Sequence, residues 1–260
     1  MRFSCCIDMM FSELDFYDRI SEVRKCGIDA IEFWKWSNKD IGRVCDLKEV
    51  NDLSFSVFNI DSRDEKLSHD LSRGILNAGR SGEFLSALEE SIPIYHELKA
   101  HAMIVLVGEN LGAMSRLKQC DHVYKCLEAA AAPAEENAVT LVVEPLNSFD
   151  RENYFMPYAG ELFEILDQVD SPNIKMLYDI YHQSRMGDFS MEEIKKHIGR
   201  IGHFHVADSP GRHEPGTGNV DYPAIIREIA RLDYSGYIGL EYRATKPEAE
   251  TLGFIREAVS

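Results

Sequence analysis

Short apolar runs and helically spaced segments alternate eight times along this 260-residue chain, and no other feature of the sequence restricts its fold so strongly. Strand-like runs rich in Val, Ile, Leu and aromatics stand at FSCCI (3 to 7), DAIEFW (29 to 34), FSVFNI (55 to 60) and AMIVLV (102 to 107). Four more follow: VTLVVE (139 to 144), IKMLYD (174 to 179), RIGHFHV (200 to 206) and YIGLE (237 to 241). Residues 13 to 26, 40 to 53, 82 to 99, 118 to 137, 157 to 169, 190 to 197, 222 to 233 and 248 to 259 carry apolar residues at helical spacing. Strict alternation argues for parallel strands joined by crossover helices. Eight of each predicts an α/β chain closed into a single (β/α)8 TIM barrel spanning residues 1 to 260, a length that suits one barrel. An open doubly wound sheet would offer a glycine-rich phosphate loop after its first strand, and residues 8 to 13 hold no glycine.

Helix punctuation agrees. Ser190 precedes MEEIKKHI with Glu193 three residues on, a capping-box pattern, and Ser12 with Asp15 repeats it before ELDFYDRI. Two connections are long, residues 61 to 81 and 207 to 221. Both follow strands, so they are expected on the catalytic face as lids or binding elements.

The last four runs share a second property: each ends at or near a group able to bind a cation, Glu144, Asp179, His205 and Glu241. The separations are 179 − 144 = 35, 205 − 179 = 26 and 241 − 205 = 36 residues, each enough for one strand, one helix and two loops. In a barrel all four then point into one pocket. Three carboxylates and an imidazole form a hard, oxygen-rich set that suits one Mn²⁺ or Mg²⁺ better than zinc. Four protein ligands leave two positions of an octahedron for substrate or water, so such an ion can chelate neighbouring carbonyl and hydroxyl oxygens and stabilise an enediolate. Glu144 and Glu241 come from strands that are not neighbours, which suits them to abstract and return a proton on a small hydroxycarbonyl substrate. His182, three residues past Asp179, is read either as a contact to substrate or a ligating carboxylate, or as a solvent-facing histidine at a helix start. Arg212 is read either as a planar fork for a carboxylate or a polarised oxygen, or as a surface charge in a polar loop. Glu32 and Trp34, at the end of the second strand, are placed in the same pocket, with Glu32 alternatively a structural partner of a loop.

Charge and cysteine usage narrow the partners. With 28 basic and 44 acidic residues the net charge is −16, which repels a phosphate backbone, so nucleic acid is not expected. The six cysteines form no CxxC pair and read as small core residues in a reducing compartment. No long apolar stretch predicts a signal peptide or membrane span, making the cytoplasm the default location. Oligomeric state stays open, a homo-oligomer included.

Taken in order, VEPLN (143 to 147), YDIYHQSRMGDF (178 to 189), IGHFHVADSPGRHEPGTGNVDYP (201 to 223) and YIGLEY (237 to 242) carry a resemblance. The chain resembles the hydroxypyruvate isomerase family within the xylose-isomerase-like sugar isomerase and epimerase barrels, and the order of elements extends the likeness over nearly the whole length. That resemblance implies one divalent metal on Glu144, Asp179, residue 205 and Glu241, the two glutamates as the acid–base pair, and Arg212 and His182 contacting substrate. It also implies a reaction: hydroxypyruvate and tartronate semialdehyde are interconverted by moving a proton between adjacent carbons, and relatives isomerise larger 2-oxo sugar acids. Two departures stand out. His205 occupies a position where those isomerases carry Gln and the ketose 3-epimerase branch carries His, and residues 148 to 156 lack a proline–glycine turn. A 3-epimerase of a neutral ketose is therefore the alternative, and a metal-binding barrel without catalysis is a further one. The apurinic endonucleases of the same superfamily need additional early-strand ligands, where this chain has Asn59 and Ile60, and Val107 and Gly108.

Overall fold

The computed structural model of the chain describes residues 1–79 and 81–255. Nine parallel strands form one sheet: β1 (Arg2–Cys6), β2 (Ala30–Glu32), β3 (Ser54–Phe55), β4 (Val57–Asn59), β5 (Ala102–Leu106), β6 (Leu141–Glu144), β7 (Ile174–Asp179), β8 (Ile201–Val206) and β9 (Tyr237–Leu240). Their order is β3-β2-β1-β9-β8-β7-β6-β5-β4. The two terminal strands, β3 and β4, flank a single residue, Ser56. Its N–H donates to the Ile31 carbonyl (2.9 Å) and its own carbonyl accepts from the N–H groups of His101 (2.8 Å) and Ala102 (3.1 Å). Ser56 thus joins β2 to β5 and closes the ring, so β3 and β4 are two halves of one barrel strand.

Among the described residues α-helices lie between and after the strands: α1 (Phe16–Lys25), α2 (Ile41–Val50), α3 (Glu65–Arg73), α4 (Ser81–Leu98), α5 (Arg116–Glu136), α6 (Ala159–Val169), α7 (Ile180–Met186), α8 (Met191–His197), α9 (Tyr222–Ala230) and α10 (Glu248–Thr251). Seven of the eight expected helices are present, and the eighth begins with α10. The expectation for 248 to 259 extends beyond the described residues from 256 on. Ser190 caps α8, accepting from the Glu193 N–H at 3.2 Å. Ser12 does not cap α1: that helix starts at Phe16 after Asp15, which makes no side-chain cap bond. The long connection at 61 to 81 contains α3, capped by Asp64, which accepts from the Leu67 N–H at 2.8 Å. Among the described residues no helix is long and apolar enough to cross a membrane.

Period-2 alternation divides each strand between two environments. Outward residues such as Phe3, Cys5, Ile31, Met103, Val143, Tyr178, Phe204 and Ile238 join the main core beneath the helices. Inward residues of β4 to β7, namely Val57, Ala102, Ile104, Val142 and Leu177, form a separate apolar cluster inside the barrel. The facing half of the interior is polar: Ser4 of β1, Glu32 of β2, Ser56, and His203 and His205 of β8 are all buried.

Candidate active site

The strand ends bring the four donors together. Glu144 closes β6, Asp179 closes β7, His205 is the penultimate residue of β8, and Glu241 follows β9 directly. One ligand atom from each lies within 4.8 Å of the others, and all four side chains are buried. His205 stands between the glutamates, its Nδ1 at 3.5 Å from both Glu144 Oε1 and Glu241 Oε2. The acids are held individually. Asp179 accepts from the N–H groups of Tyr181 (2.7 Å) and His182 (3.2 Å) at the start of α7 through Oδ1. Glu241 accepts from Trp34 Nε1 at 2.7 Å and from Arg212 Nη2.

Arg212 reaches Glu241 from an unusual backbone. Its φ is +55°, in the left-handed region that non-glycine residues seldom adopt. Two hydrogen bonds hold it there: its N–H donates to the Asp208 carbonyl (2.8 Å) and its carbonyl accepts from the Arg243 N–H (2.9 Å). Asp208 is itself buried and ties the loop together, its carboxylate accepting from the N–H groups of Ser209 (2.9 Å), Gly216 (2.7 Å) and Val220 (3.2 Å). Glu214 fastens the same loop to the Thr245 N–H (2.9 Å). The 207 to 221 connection is a stitched element presenting Arg212.

His182 is buried, and Asn147 donates to its Nδ1 from its backbone N–H at 3.0 Å. Nδ1 is therefore the acceptor and Nε2 carries the proton, facing Asp179 Oδ2 at 3.4 Å. Burial, helped by Arg212, pushes its pKa well below the ordinary histidine value and keeps it neutral.

The electrostatics of the cluster are mixed. Burial raises Glu144, and raises Asp179 to about 7. Burial would also raise Glu241, but Arg212 and His205 outweigh it and its pKa lies below the usual carboxylate range. Burial opposes charge on His205, yet Glu241 and Glu32 prevail and its pKa stands well above the histidine norm. Buried carboxylates this close are costly unless neutralised, whether by protons, by Arg212 and His205 or by a bound cation. Glu144 Oε1 and His205 Nδ1, facing each other, are buried without a hydrogen-bond partner. Adjacent orphaned donor atoms in an oxygen-rich set fit a hard divalent ion.

A cavity of about 720 Å³ opens above this cluster. Glu144, Glu241, Trp34, His182 and Arg212 line it. Glu32 does not line the cavity: it sits beneath His205 in the barrel interior, bonded to Ser4 and Ser56. Sequence reasoning did not single out the other basic groups on the wall, Lys35, Lys39, Arg151 and Arg243. They come from loops, where no periodicity announces which way a side chain faces. It also passed over His203, which the two-residue spacing to His205 on one strand could have flagged.

A closed parallel barrel with its polar donors and cavity at the C-terminal rim is the layout of TIM-barrel enzymes. Residues 20–258 match the xylose isomerase-like TIM barrel family, and the chain belongs to it. It is 30% identical over 257 residues to the hydroxypyruvate isomerase of Escherichia coli (strain K12), covering 98% of this chain and 97% of that protein. It is 29% identical over 258 residues to a 2-oxo-tetronate isomerase of Cupriavidus necator, with 98% and 97% covered. Among solved structures, it matches an AP endonuclease, family 2, from Brucella melitensis with a TM-score of 0.89 at 24% identity, covering 98% of both chains. That last likeness speaks for the fold alone.

Proposed function

We propose that the chain is a divalent-metal-dependent isomerase of small hydroxy-oxo acids, of the kind represented by hydroxypyruvate and the 2-oxo-tetronates, that moves a proton between adjacent carbons. The observation that carries this reading is the pair of glutamates on either side of His205, both on the wall of one cavity. Glu144, Asp179, His205 and Glu241 would hold the ion, with Mn²⁺ or Mg²⁺ the natural choices for such donors. When bound, it supplies positive charge beside a carbonyl, lowering the cost of deprotonating the neighbouring carbon.

The residues themselves do the rest. Glu144 and Glu241 take and return the proton from different sides of the substrate. Trp34 and Arg212 fix the carboxylate of Glu241, while Asn147 holds His182 as an Nε2–H donor toward Asp179 and the cavity. The rim also favours an acid as substrate. Lys35, Lys39, Arg151, Arg212 and Arg243 line the cavity beside Asp8, Glu144, Asp150 and Glu241, so cationic groups able to pair with a substrate carboxylate are at hand.

His205 favours a second reading, 3-epimerisation of a neutral ketose, and one experiment separates the two. Mn²⁺-loaded protein is incubated in D₂O with hydroxypyruvate, 2-oxo-tetronates and neutral ketoses, and NMR locates the exchanged carbon. Isomerisation places deuterium on the hydroxyl-bearing carbon next to the carbonyl of the oxo-acid and on the former carbonyl carbon of its product, with Glu144→Gln and Glu241→Gln each slowing exchange by about 10²- to 10⁴-fold. Exchange confined to C3 of ketoses overturns the first reading. Unchanged turnover in both variants with intact metal content overturns the glutamate roles, and absence of any exchange supports a non-catalytic barrel instead.

A further inference from the structure

Glu32 belongs to a second cluster of donors, with His203 and His205, again with ligand atoms within 4.8 Å and every side chain buried. His205 is common to both clusters. Its Nδ1 faces Glu144 and Glu241, while its Nε2 lies 3.0 Å from Glu32 Oε1, an approach short enough for a hydrogen bond though not aligned as one, and neither atom has another partner. The other oxygen of Glu32 is crowded with donors. Oε2 accepts from Ser4 Oγ (2.6 Å) and Ser56 Oγ (2.7 Å) and lies 3.2 Å from His203 Nε2.

Two chemistries are compatible with three such groups, a second metal ion or a hydrogen-bond device. An ion shared by Glu32, His203 and His205, in addition to one at the rim, would require His205 to ligate through both ring nitrogens. That leaves the ring an imidazolate with no proton at all. The two serine hydroxyls at 2.6 and 2.7 Å also occupy Oε2 as donors. The hydrogen-bond device has no such difficulty. A carboxylate accepting from one imidazole nitrogen fixes the ring's tautomer and orientation and turns the lone pair of the other nitrogen outward.

We infer that Glu32, itself anchored by Ser4 and Ser56 and lying beside His203, is a positioning residue that holds His205 as the Nε2–H tautomer with Nδ1 presented to the rim cluster, so that the chain takes up one ion and not two. The inference rests on the metal reading given above. It adds a role to a residue that touches neither the cavity nor, by that reading, the metal.

The test uses Mn²⁺ titration of the full chain, followed by loss of the free-ion EPR signal, with wild type, Glu32→Gln and Glu32→Leu. Gln keeps an acceptor oxygen of nearly the same reach, whereas Leu removes it. Expected are one site per chain in the wild type, a dissociation constant raised about 10- to 100-fold in Glu32→Leu, and restoration to within a few-fold of wild type in Glu32→Gln. Long-range ¹H–¹⁵N correlations of Mg²⁺-loaded wild type should show His205 protonated on Nε2 alone, an observation that needs no variant to fold. A folded Glu32→Leu with wild-type affinity, a proton on Nδ1 of His205, or two ions per chain with one lost in Glu32→Gln would each overturn the inference. Wild-type protein that takes up no Mn²⁺ overturns the metal reading itself, and this one with it.

Discussion

Gly239 gives the sharpest mutational probe of the polar half of the barrel. It sits in β9 directly between Ser4 of β1 and His205 of β8 in the sheet register. A Cβ at this position would lie 2.6 Å from Glu32 Oε1, 2.6 Å from His205 Cδ2 and 2.8 Å from Glu32 Oε2, where ordinary contact begins at 3.4 Å. The missing space is 3.4 − 2.6 = 0.8 Å on each side. Neither neighbour yields freely, since Glu32 is fixed by two serines and His205 by the carboxylates around it. Moving either partner away also disturbs the 3.0 Å approach of Nε2 to Oε1. Overpacking of this kind costs about 1–3 kcal/mol, and Gly239→Ala should destabilise by about that much. Urea denaturation reads the stability, and Mn²⁺ titration should show affinity falling about tenfold with it. Gly239 has no positive φ to preserve, so alanine is acceptable to its backbone. By chain entropy alone it would stabilise by about 0.4–1 kcal/mol, the result expected of the control Gly112→Ala, whose Cβ meets nothing. A neutral or stabilised Gly239→Ala with unchanged Mn²⁺ affinity would refute the packing argument.

Arg212→Ala should lower kcat/KM for carboxylate-bearing substrates by about 10- to 100-fold, the worth of a hydrogen bond to a charged group, and much less for neutral ketoses; equal losses for both classes would show that its bond to Glu241, not a substrate carboxylate, is what matters. Burial holds the His101 pKa below the ordinary 6.5, so as pH falls the unfolded chain takes up that proton first. The stability His101 contributes is complete above about pH 7.5, declines through the unfolded value near 6.5 and levels off below the folded one. Urea midpoints of His101→Gln should accordingly drop less than those of wild type between about pH 7.5 and about pH 6, and parallel curves would rule the effect out.

Much of this molecule could be read from the chain because buried parallel strands are continuous apolar runs with abrupt ends. IKMLYD and β7 coincide residue for residue, and the donors at strand ends meet as the alternation implied. What escaped did so for identifiable reasons. α7 begins at Ile180 with no spacer after β7, Asp179 being both strand terminus and helix cap, so no loop signal separates the two elements. α3 reads EKLSHDLSR, with too few apolar residues to stand out from a polar loop. The Glu32–His205 contact joins β2 to β8, positions 205 − 32 = 173 residues apart, and no local pattern encodes a pairing across a barrel. Ser12 shows the converse error. The pattern it forms with Asp15 is a valid cap on paper, but a turn carries the chain to Phe16 before the helix starts.

The interior of the barrel divides stability from function along its circumference. TIM barrels ordinarily fill their inward positions with bulky branched residues. Here β4 to β7 do so, with Val57, Ile104, Val142 and Leu177, while β1, β2, β8 and β9 place Ser4, Glu32, His203 and Gly239 at equivalent depth. Each buried aliphatic side chain is worth about 1.5–3 kcal/mol, so several such contributions are forgone on one side of the same ring. Hydrogen bonds among the polar groups offset part of that loss but do not return the apolar contribution. A sequence free to maximise stability would fill those positions with Val or Ile. The polar half makes sense as the support for a group above it, and the group in contact with Glu32, His203 and the Gly239 gap alike is His205.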